Sequence, residues 1–292
     1  MEKFLIKGSS SKGVKGLINC SGAKNAVLPL MASSILFEDT ITLTNVPLGA
    51  NDIQTMIILL KSLGSKVQII KKKKILKITN KKKHKLLVKY KYISTMRAGV
   101  LAMGALLGKY NKCSTALSGG CSLGPRPIGY HLAGFKKLKC KYNLNKGYIN
   151  IISPSGIKGG HFRFPKVSVT GTSNLILASV LANGITILKN ISIEPEVLDL
   201  IKFLRNGGAR IYNIGKRTIK IFGVKKLNGH QHEVIGDRIE AFSYLCAAAI
   251  TKGKIKIKRI DPKHLTTELK VLKKIGCKIK VDKSSIELNR KN

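Results

Sequence analysis

The order of apolar and polar residues along the chain predicts successive copies of one mixed unit. In the first copy, a small-residue helix over 26–36 leads into an alternating strand over 40–45. An amphipathic helix over 53–63 follows and ends at Gly64, as helices often end at glycine. A strand over 65–70 and its hairpin partner then close the unit.

The same order recurs until the chain ends. Equivalent positions follow the second helix of each copy, and they are Gly64, Lys139, Gly208 and Gly276, which lie 75, 69 and 68 residues apart. So regular a period indicates duplicated modules. One unit cannot cover both of its apolar faces, so several must share a core. We predict an α/β protein with one complete three-unit domain over 21–227 and an incomplete second domain formed by 1–20 and 228–292.

Composition predicts a folded protein without a membrane span. Hydrophobic residues make up 43% of the chain and the mean hydropathy is +0.04. The longest apolar stretches, 98–108 and 173–188, are too short or too interrupted to cross a bilayer. Residues 1–8 lack the apolar core of a secretory signal and predict a first strand, so we expect a cytoplasmic location.

The charge is strongly positive, with 54 Lys and Arg against 14 Asp and Glu, formally +40. Such a field attracts polyanions without specificity. The lysines are spread along the chain, and the runs 71–74 and 81–83 flank a short strand over 75–79. Only 5% of residues are aromatic and none is Trp, so no specific nucleic-acid recognition is expected. The coding bias of an A+T-rich gene is an alternative origin of the charge.

Cysteines and histidines predict neither disulfides nor a metal site. The six cysteines contain no C-x-x-C pair, which favours free thiols in a reducing compartment. His230 and His232 alternate along one segment, but the sequence offers no acidic or cysteine partner at useful spacing. We therefore expect no metal and no cofactor.

The segment 119–127 predicts a reactive cysteine. Cys121 lies among glycines that allow unusual backbone angles, five residues before Arg126, which stands between two prolines. A nearby guanidinium favours the thiolate. The alternative is a buried cysteine beside an ordinary turn, but burial does not explain an arginine held between prolines.

Three helix starts carry cations that favour binding of an anion. Lys24 and Asn25 enter the first helix, Arg97 heads the corresponding helix of the second unit, and Lys166 precedes that of the third. Free amides and the helix dipole attract negative charge at such positions. A lysine that only faces water is the common alternative for each. In a three-fold arrangement the three starts would converge on one anionic ligand.

Seven motifs together resemble the enolpyruvyl transferases. In chain order they are S-G-A-K-N-A at 21–26, N-V-P at 45–47, T-M-R-A at 95–98, G-G-C-x-x-G-x-R-P at 119–127, K-V-S-V at 166–169, E-P-E at 194–196 and D-R-I-E at 237–240. The resemblance implies an inside-out α/β barrel of two domains, each with three units whose helices lie inside and whose sheets lie outside.

The resemblance also implies an activity, the transfer of the enolpyruvyl group of phosphoenolpyruvate to the 3-hydroxyl of UDP-N-acetylglucosamine in peptidoglycan synthesis. The implied catalytic residues are Cys121, as the proton donor, with Lys24, Arg97 and Arg126. The implied substrate-binding residues are Lys24, Asn25, Arg97, Arg126, Pro127, Ile128, Gly129, Tyr130, Lys166, Val167, Ser168, Val169 and Asp237.

The sequence departs from the family pattern at two points. Gly129 stands where the family usually has an aspartate in the nucleotide loop. The chain also stops before the second-domain aspartate and arginines of the family, so either the second domain is small or the polypeptide is a fragment. We expect a C-terminally truncated member that would either aggregate or bind a partner chain supplying the two missing units. The alternatives are a non-catalytic homologue that binds UDP-sugar or a partner, and a basic polyanion-binding protein.

Overall fold

The structure, a computed structural model, describes residues 3, 5, 13–80, 83–116 and 128–290 of the chain. It divides into two compact units, one formed by 24–234 and the other by 1–23 with 235–292. The sequence placed these divisions after residues 20 and 227.

The helices and strands follow the repeated order helix, strand, helix, strand, strand. Strand β1, Lys15–Asn19, comes before the first repeat. The first repeat contains α1 Lys24–Ser33, β2 Ile41–Thr44, α2 Asn51–Leu63, β3 Lys66–Ile70 and β4 Ile75–Thr79. The second contains β5 Leu87–Val88, α3 Tyr90–Ile93, α4 Leu101–Tyr110, β6 Lys112–Ala116, α5 Gly129–Lys137, β7 Lys141–Asn145 and β8 Tyr148–Ile152.

The third repeat contains β9 His161–Arg163, α6 Val169–Ser179, β10 Ile185–Lys189, α7 Pro195–Asn206, β11 Arg210–Gly215 and β12 Thr218–Phe222. The fourth contains β13 Gln231–Glu233, α8 Arg238–Ile250, β14 Lys254–Lys258, α9 Thr266–Lys274, β15 Lys278–Asp282 and β16 Ser285–Asn289. Short 3-10 segments occur at Ser34–Leu36, Lys71–Lys73, Arg97–Val100 and Pro262–Leu265.

The four sheets formed by the described residues have the same topology. Their strand orders are β13-β2-β4-β3, β5-β6-β8-β7, β9-β10-β12-β11 and β1-β14-β16-β15. In each sheet the first-named edge strand pairs in parallel with its neighbour, and the other pairs are antiparallel. The predicted α/β architecture of repeated units is confirmed.

Two of the parallel edge strands are exchanged between the first and fourth repeats. Strand β13 pairs with β2, with Gln231 opposite Thr42, although α8 follows β13 in the sequence. Strand β1 pairs with β14, with Gly16 opposite Ile255. Each of these two sheets therefore closes only through a segment distant in sequence.

Helices form the interior of the unit 24–234 and sheets form its outer layer. Helix α4 packs against both α1 and α6. In α1 and α4 eight of ten residues are buried, and in α6 nine of eleven, so these helices are covered on nearly all sides. Strand β4 instead alternates buried and half-buried residues, as expected for a sheet with one inward face.

Helix α8 holds the same place in the fourth repeat but is buried on one side only. Its buried residues are Ala241, Leu245, Ala248 and Ala249, which pack in a small core with apolar residues of β14, β16 and α9. Of its other side chains, Ile250 is 82% exposed and Ile239 is 53% exposed. The fourth repeat therefore presents an apolar helix face that its three counterparts bury.

Backbone angles support the alignment of the repeats at the level of single residues. The four equivalent positions all have a positive φ, at Gly64 (116°), Lys139 (64°), Gly208 (100°) and Gly276 (92°). This left-handed conformation ends the second helix of each copy. Lys139 adopts it without the freedom that glycine has.

Most of the predicted strand over 1–8 lies outside the described residues, so it stays a prediction, and the first described strand is Lys15–Asn19. Two other details differ from the sequence-based expectations. Helix α1 begins two residues earlier than predicted and tightens into a 3-10 turn at Ser34. His232 does have an acidic partner: its Nε2 donates to Asp199 Oδ1 at 2.9 Å, and both side chains are buried. Asp199 lies on α7, so sequence spacing could not reveal the pair.

Among the helices that the structure describes, none is long and apolar enough to cross a membrane.

Candidate active site

Lys24 is the first residue of α1, and an acidic side chain of α2 holds its ammonium group. Lys24 Nζ lies 2.7 Å from Asp52 Oδ2, and the two side chains are 42% and 33% exposed. Asp52 lies in the first turn of α2, where a carboxylate is favoured by the helix dipole. Asn25 follows Lys24 and is exposed. Lys24 and Asn25 were predicted from their place at a helix start, whereas Asp52 was not, although it too lies at a helix start.

Arg97 begins the 3-10 segment that leads directly into α4. The residue is half-buried, and the atom Nη1 of its guanidinium is buried. Helix α1 contacts this segment, so Lys24 and Arg97 lie on packed elements of the same unit. The predicted helix start at Arg97 is thus a tighter turn that continues as α4.

Residues 166–169 lead into α6, and Ser168 is the N-cap of that helix. Ser168 Oγ accepts a hydrogen bond from the amide of Gly171 at 3.1 Å, which satisfies one of the free amides of the first turn. Lys166, Val167 and Val169 are exposed, while Ser168 is half-buried. This segment therefore offers one ammonium group, two apolar side chains and helix amides on the surface of the unit.

The cysteine loop lies outside the described residues. Cys121, Arg126 and Pro127 all fall within the range 117–127, so their predicted roles stay predictions. The structure resumes at Ile128, the N-cap position of α5, and helix α5 begins at Gly129. Ile128 and Tyr130 are half-buried and Gly129 is exposed.

A buried side-chain amide, which was not predicted from the sequence, joins three of these segments. Asn174, on α6, is fully buried, and its Oδ1 accepts from the amide of Gly104 at 2.8 Å. Its Nδ2 donates to the carbonyl of Val100 at 3.0 Å and to His131 Nδ1 at 2.8 Å. The Val100 carbonyl and the Gly104 amide are the pair that a regular helix would join directly. Asn174 thus lies across the turn from which α4 starts.

Gly104 allows this close approach, because a Cβ at that position would overlap the backbone and side chain of Asn174. His131 lies on α5 and is 3% exposed. Burial, together with the charge of nearby Arg97, lowers the pKa of His131 from 6.5 to about 4. His131 stands ten residues after Cys121, a spacing that carried no signal by itself.

Asp237 belongs to the other unit, where it caps α8. Its Oδ1 accepts from the amides of Ile239 at 2.8 Å and Glu240 at 3.2 Å. The Glu240 carboxylate in turn accepts from the amide of Ser21 at 2.9 Å. The D-R-I-E and S-G-A-K motifs therefore meet through backbone and capping contacts, which is a structural role that the motifs alone did not reveal.

Burial makes several of the described thiols poor nucleophiles. Burial raises the pKa of Cys20 to about 12, with the neighbouring Glu240 carboxylate adding to the shift. Burial also raises the pKa of Cys140 to about 11, and raises that of Cys113, which is fully enclosed. Within the described ranges, no group of three or more His, Cys, Asp or Glu side chains is placed to hold a metal ion.

The sequence matches the family described as EPSP synthase (3-phosphoshikimate 1-carboxyvinyltransferase) over residues 9–292. The chain belongs to this family, the enolpyruvyl transferases. Solved structures agree in fold: the enolpyruvyl transferase NikO from Streptomyces tendae matches 95% of this chain and 66% of its own, with a TM-score of 0.83 at 14% identity. An EPSP synthase from Acinetobacter baumannii matches 96% of this chain and 65% of its own, with a TM-score of 0.72 at 19% identity.

Curated relatives within the family are more similar in sequence. The UDP-N-acetylglucosamine 1-carboxyvinyltransferase of Pelagibacter ubique (strain HTCC1062) is 46% identical over 286 residues, which cover 98% of this chain and 67% of the relative. The protein of the same name from Endomicrobium trichonymphae is 42% identical with the same coverage. The chain thus spans about two thirds of the length of these relatives.

Proposed function

We propose that this chain carries the enolpyruvyl-transfer site of a UDP-N-acetylglucosamine 1-carboxyvinyltransferase. The observation that carries the proposal is the identity of 46% over 98% of the chain to a relative of that name. The product would enter peptidoglycan synthesis in the cytoplasm, and so contribute to cell shape and division.

The proposed reaction joins two substrates and releases phosphate. Cys121 donates a proton to the methylene carbon of phosphoenolpyruvate, which leaves positive charge at C2. The sugar 3-hydroxyl loses its proton to a base and attacks C2, forming the new C–O bond. Loss of a proton from the methyl group and of phosphate from C2 restores the double bond and yields the enolpyruvyl ether. The thiol must hold its proton until the substrate binds, so its pKa has to lie near the working pH.

The cations at the helix starts suit this chemistry. Lys24 and Arg97 would offset the phosphate and carboxylate charges of phosphoenolpyruvate, and Arg126 would do so from the cysteine loop. The ion pair of Lys24 with Asp52 at 2.7 Å means that the substrate must share this ammonium with a carboxylate. Asp52 would therefore fix the position of Lys24 while reducing its net attraction for the anion.

The nucleotide would lie along the starts of α5 and α6. The residues proposed for it are Arg126, Pro127, Ile128, Gly129, Tyr130, Lys166, Val167, Ser168 and Val169. The exposed apolar side chains of Val167 and Val169 offer contacts to the uracil ring, and Lys166 offers charge for the diphosphate. Gly129 brings no carboxylate to this segment. Asn25 would contact substrate beside Lys24. Asp237 would contact substrate through the same carboxylate that caps α8.

The test is calorimetric titration of UDP-N-acetylglucosamine into the chain and two variants. Arg126→Ala should weaken binding by about 1.5–3 kcal/mol, because a charge-assisted contact is lost. Lys71→Ala, on the exposed turn between β3 and β4, should change affinity little. Equal losses would mean that diffuse positive charge holds the ligand, and would contradict the proposal.

A non-catalytic binder is the second candidate, because the chain spans only two thirds of the length of its relatives. Phosphate release from phosphoenolpyruvate, measured with the nucleotide sugar present, separates the two. Binding without turnover favours the second candidate. Turnover that is lost in Cys121→Ala favours the first.

We also propose that two further α/β repeats cover the apolar face of α8. The three helices equivalent to α8 are buried on nearly all sides, whereas α8 leaves Ile239 and Ile250 exposed. The relative from Pelagibacter ubique is about half as long again as the 286 matched residues, which is room for two repeats of the size seen here. The base that takes the proton of the sugar hydroxyl would then come from those repeats, on the same polypeptide or on a separate chain.

A further inference from the structure

We propose that Asn174 is a positioning residue that fixes three substrate-facing segments relative to one another. This inference rests on the proposed function. The three segments are Arg97–Val100, the start of α5 and the start of α6.

The geometry uses every hydrogen-bonding group of the Asn174 amide. Oδ1 takes the Gly104 amide, and the two protons of Nδ2 go to the Val100 carbonyl and to His131. The amide is fully buried, where hydrogen bonds are strong and unpaired groups are costly. The backbone N–H of Gly104 can only donate and the carbonyl of Val100 can only accept. The side-chain amide of Asn174 therefore has only one orientation.

That orientation determines the state of His131. Nδ2 of Asn174 can only donate, so Nδ1 of His131 must accept and the ring proton must lie on Nε2. A second proton, on Nδ1, would face the amide protons and would stand near the guanidinium of Arg97. The low pKa of His131 agrees with this arrangement.

Asn174 and the residues that it contacts lie close in sequence to the residues proposed to bind substrate. Val100 is three residues after Arg97, and His131 directly follows Tyr130. Asn174 lies six residues after Ser168, on the same helix. A change at Asn174 therefore displaces Arg97, the start of α5 and the start of α6 together, although Asn174 itself is too buried to contact substrate.

The first test replaces Asn174 with aspartate in the whole chain. A carboxylate can still accept from Gly104 but cannot donate to Val100 or to His131. Nitrogen-15 spectra of the histidine rings should show an Nε2–H ring for His131 in the wild type and an Nδ1–H or doubly protonated ring in Asn174→Asp. Affinity for UDP-N-acetylglucosamine should fall about tenfold or more, because the nucleotide segments lose their common anchor.

The matched control is Asn45→Asp, a second buried asparagine of the same unit. Asn45 Nδ2 donates to the carbonyl of Val234 at 3.0 Å, away from the three segments. This variant should lose stability without a change in affinity. Equal affinity losses in Asn45→Asp and Asn174→Asp would reduce the role of Asn174 to general stability and overturn the proposal.

A pair of variants at His131 covers the case in which Asn174→Asp does not fold. His131→Asn places an amide oxygen where Nδ1 stands and should keep affinity within about threefold. His131→Leu leaves the Asn174 donor unpaired and should lose about tenfold or more. Equal affinities for the two variants would overturn the proposal.

The outcome is separable from that of the proposed function. If the wild type does not bind UDP-N-acetylglucosamine, the proposed function fails, and backbone amide signals then decide the positioning role. Asn174→Asp should shift the signals of residues 97–100, 128–131 and 166–169 together, and Asn45→Asp should leave them in place. A wild-type His131 with a proton on Nδ1 at pH 7 would also overturn the inference.

Discussion

At the scale of single residues, we expect the cysteine thiols of this chain to differ strongly from one another in reactivity. We expect fosfomycin, a small phosphonate epoxide, to alkylate Cys121 first, because in their proposed roles Arg126 and Lys24 would attract the phosphonate and favour the thiolate. The raised pKa values of Cys20 and Cys140 make these two thiols poor nucleophiles. Mass spectrometry after brief treatment locates the adduct. Cys121→Ser is the control, and labelling of Cys113 or Cys246 in preference to Cys121 would refute the assignment.

His84 should make stability depend on pH. It is buried, with Nδ1 2.7 Å from the Tyr110 hydroxyl and Nε2 3.1 Å from Ser65 Oγ. Burial lowers its pKa from 6.5 to about 4, with Lys109 contributing. Between these pH values the unfolded chain binds a proton that the folded chain does not. The contribution of neutral His84 to the free energy of unfolding is therefore fully present above pH 6.5. It should decrease as the pH falls toward 4, by about 1.4 kcal/mol per pH unit for each such histidine.

Urea unfolding at several pH values measures this slope. His131 shares the effect, since its pKa is also about 4. His84→Asn should flatten the slope even though it lowers stability overall. His161→Asn, at an exposed position on β9, should leave the slope unchanged. An unaltered slope in His84→Asn would show that His84 titrates alike in both states.

At the scale of elements, the close contact between α4 and α6 depends on glycines of α4, of which Gly104 faces Asn174. Gly104→Ala should destabilise the protein by about 1–3 kcal/mol, because its Cβ would overlap Asn174 in a packed interior. Gly129→Ala, also in a helix, meets no atom of the described residues within 4 Å and should be neutral or stabilising by up to about 1 kcal/mol. Urea denaturation of both variants is the measurement, and equal effects would contradict the packing argument.

The elements were largely predictable from the sequence, whereas some of their partners were not. Apolar periodicity located α2 closely because this helix has one buried face. It missed β1, which is short, contains Gly16 and is mostly exposed. The pairing of β13 with β2 could not be foreseen, since nothing in a strand of three residues indicates a partner so far away in sequence.

Some residues of the candidate site were predictable from the sequence and others were not. Charged residues at helix starts, such as Lys24 and Arg97, were visible because their positions follow from helix boundaries. Asp52, His131 and Asn174 were not, because their contacts depend on packing between helices. For Asn174, the available signal was an asparagine within the apolar sequence of α6.

At the scale of the whole molecule, the face of α8 should govern association. We expect the chain alone to self-associate through exposed apolar residues, among them Ile239 and Ile250. Ile250→Lys should shift sedimentation toward the monomer. Leu198→Lys, at a 43% exposed position on α7, should not do so. A wild-type chain that is monomeric at high concentration would contradict the proposal that further repeats cover this face.

The exchange of β1 and β13 has a consequence for synthesis on the ribosome. Thr42 emerges early, but its partner Gln231 is made 189 residues later. At about 5–20 residues per second, β2 waits roughly 10–40 s for its neighbour. Throughout that interval the first repeat has an open parallel edge, the kind of edge that invites pairing with the wrong strand. The second and third repeats carry their own edge strands, β5 and β9, and can close as they emerge. In nascent chains, the second and third repeats should therefore become resistant to protease before the first repeat does.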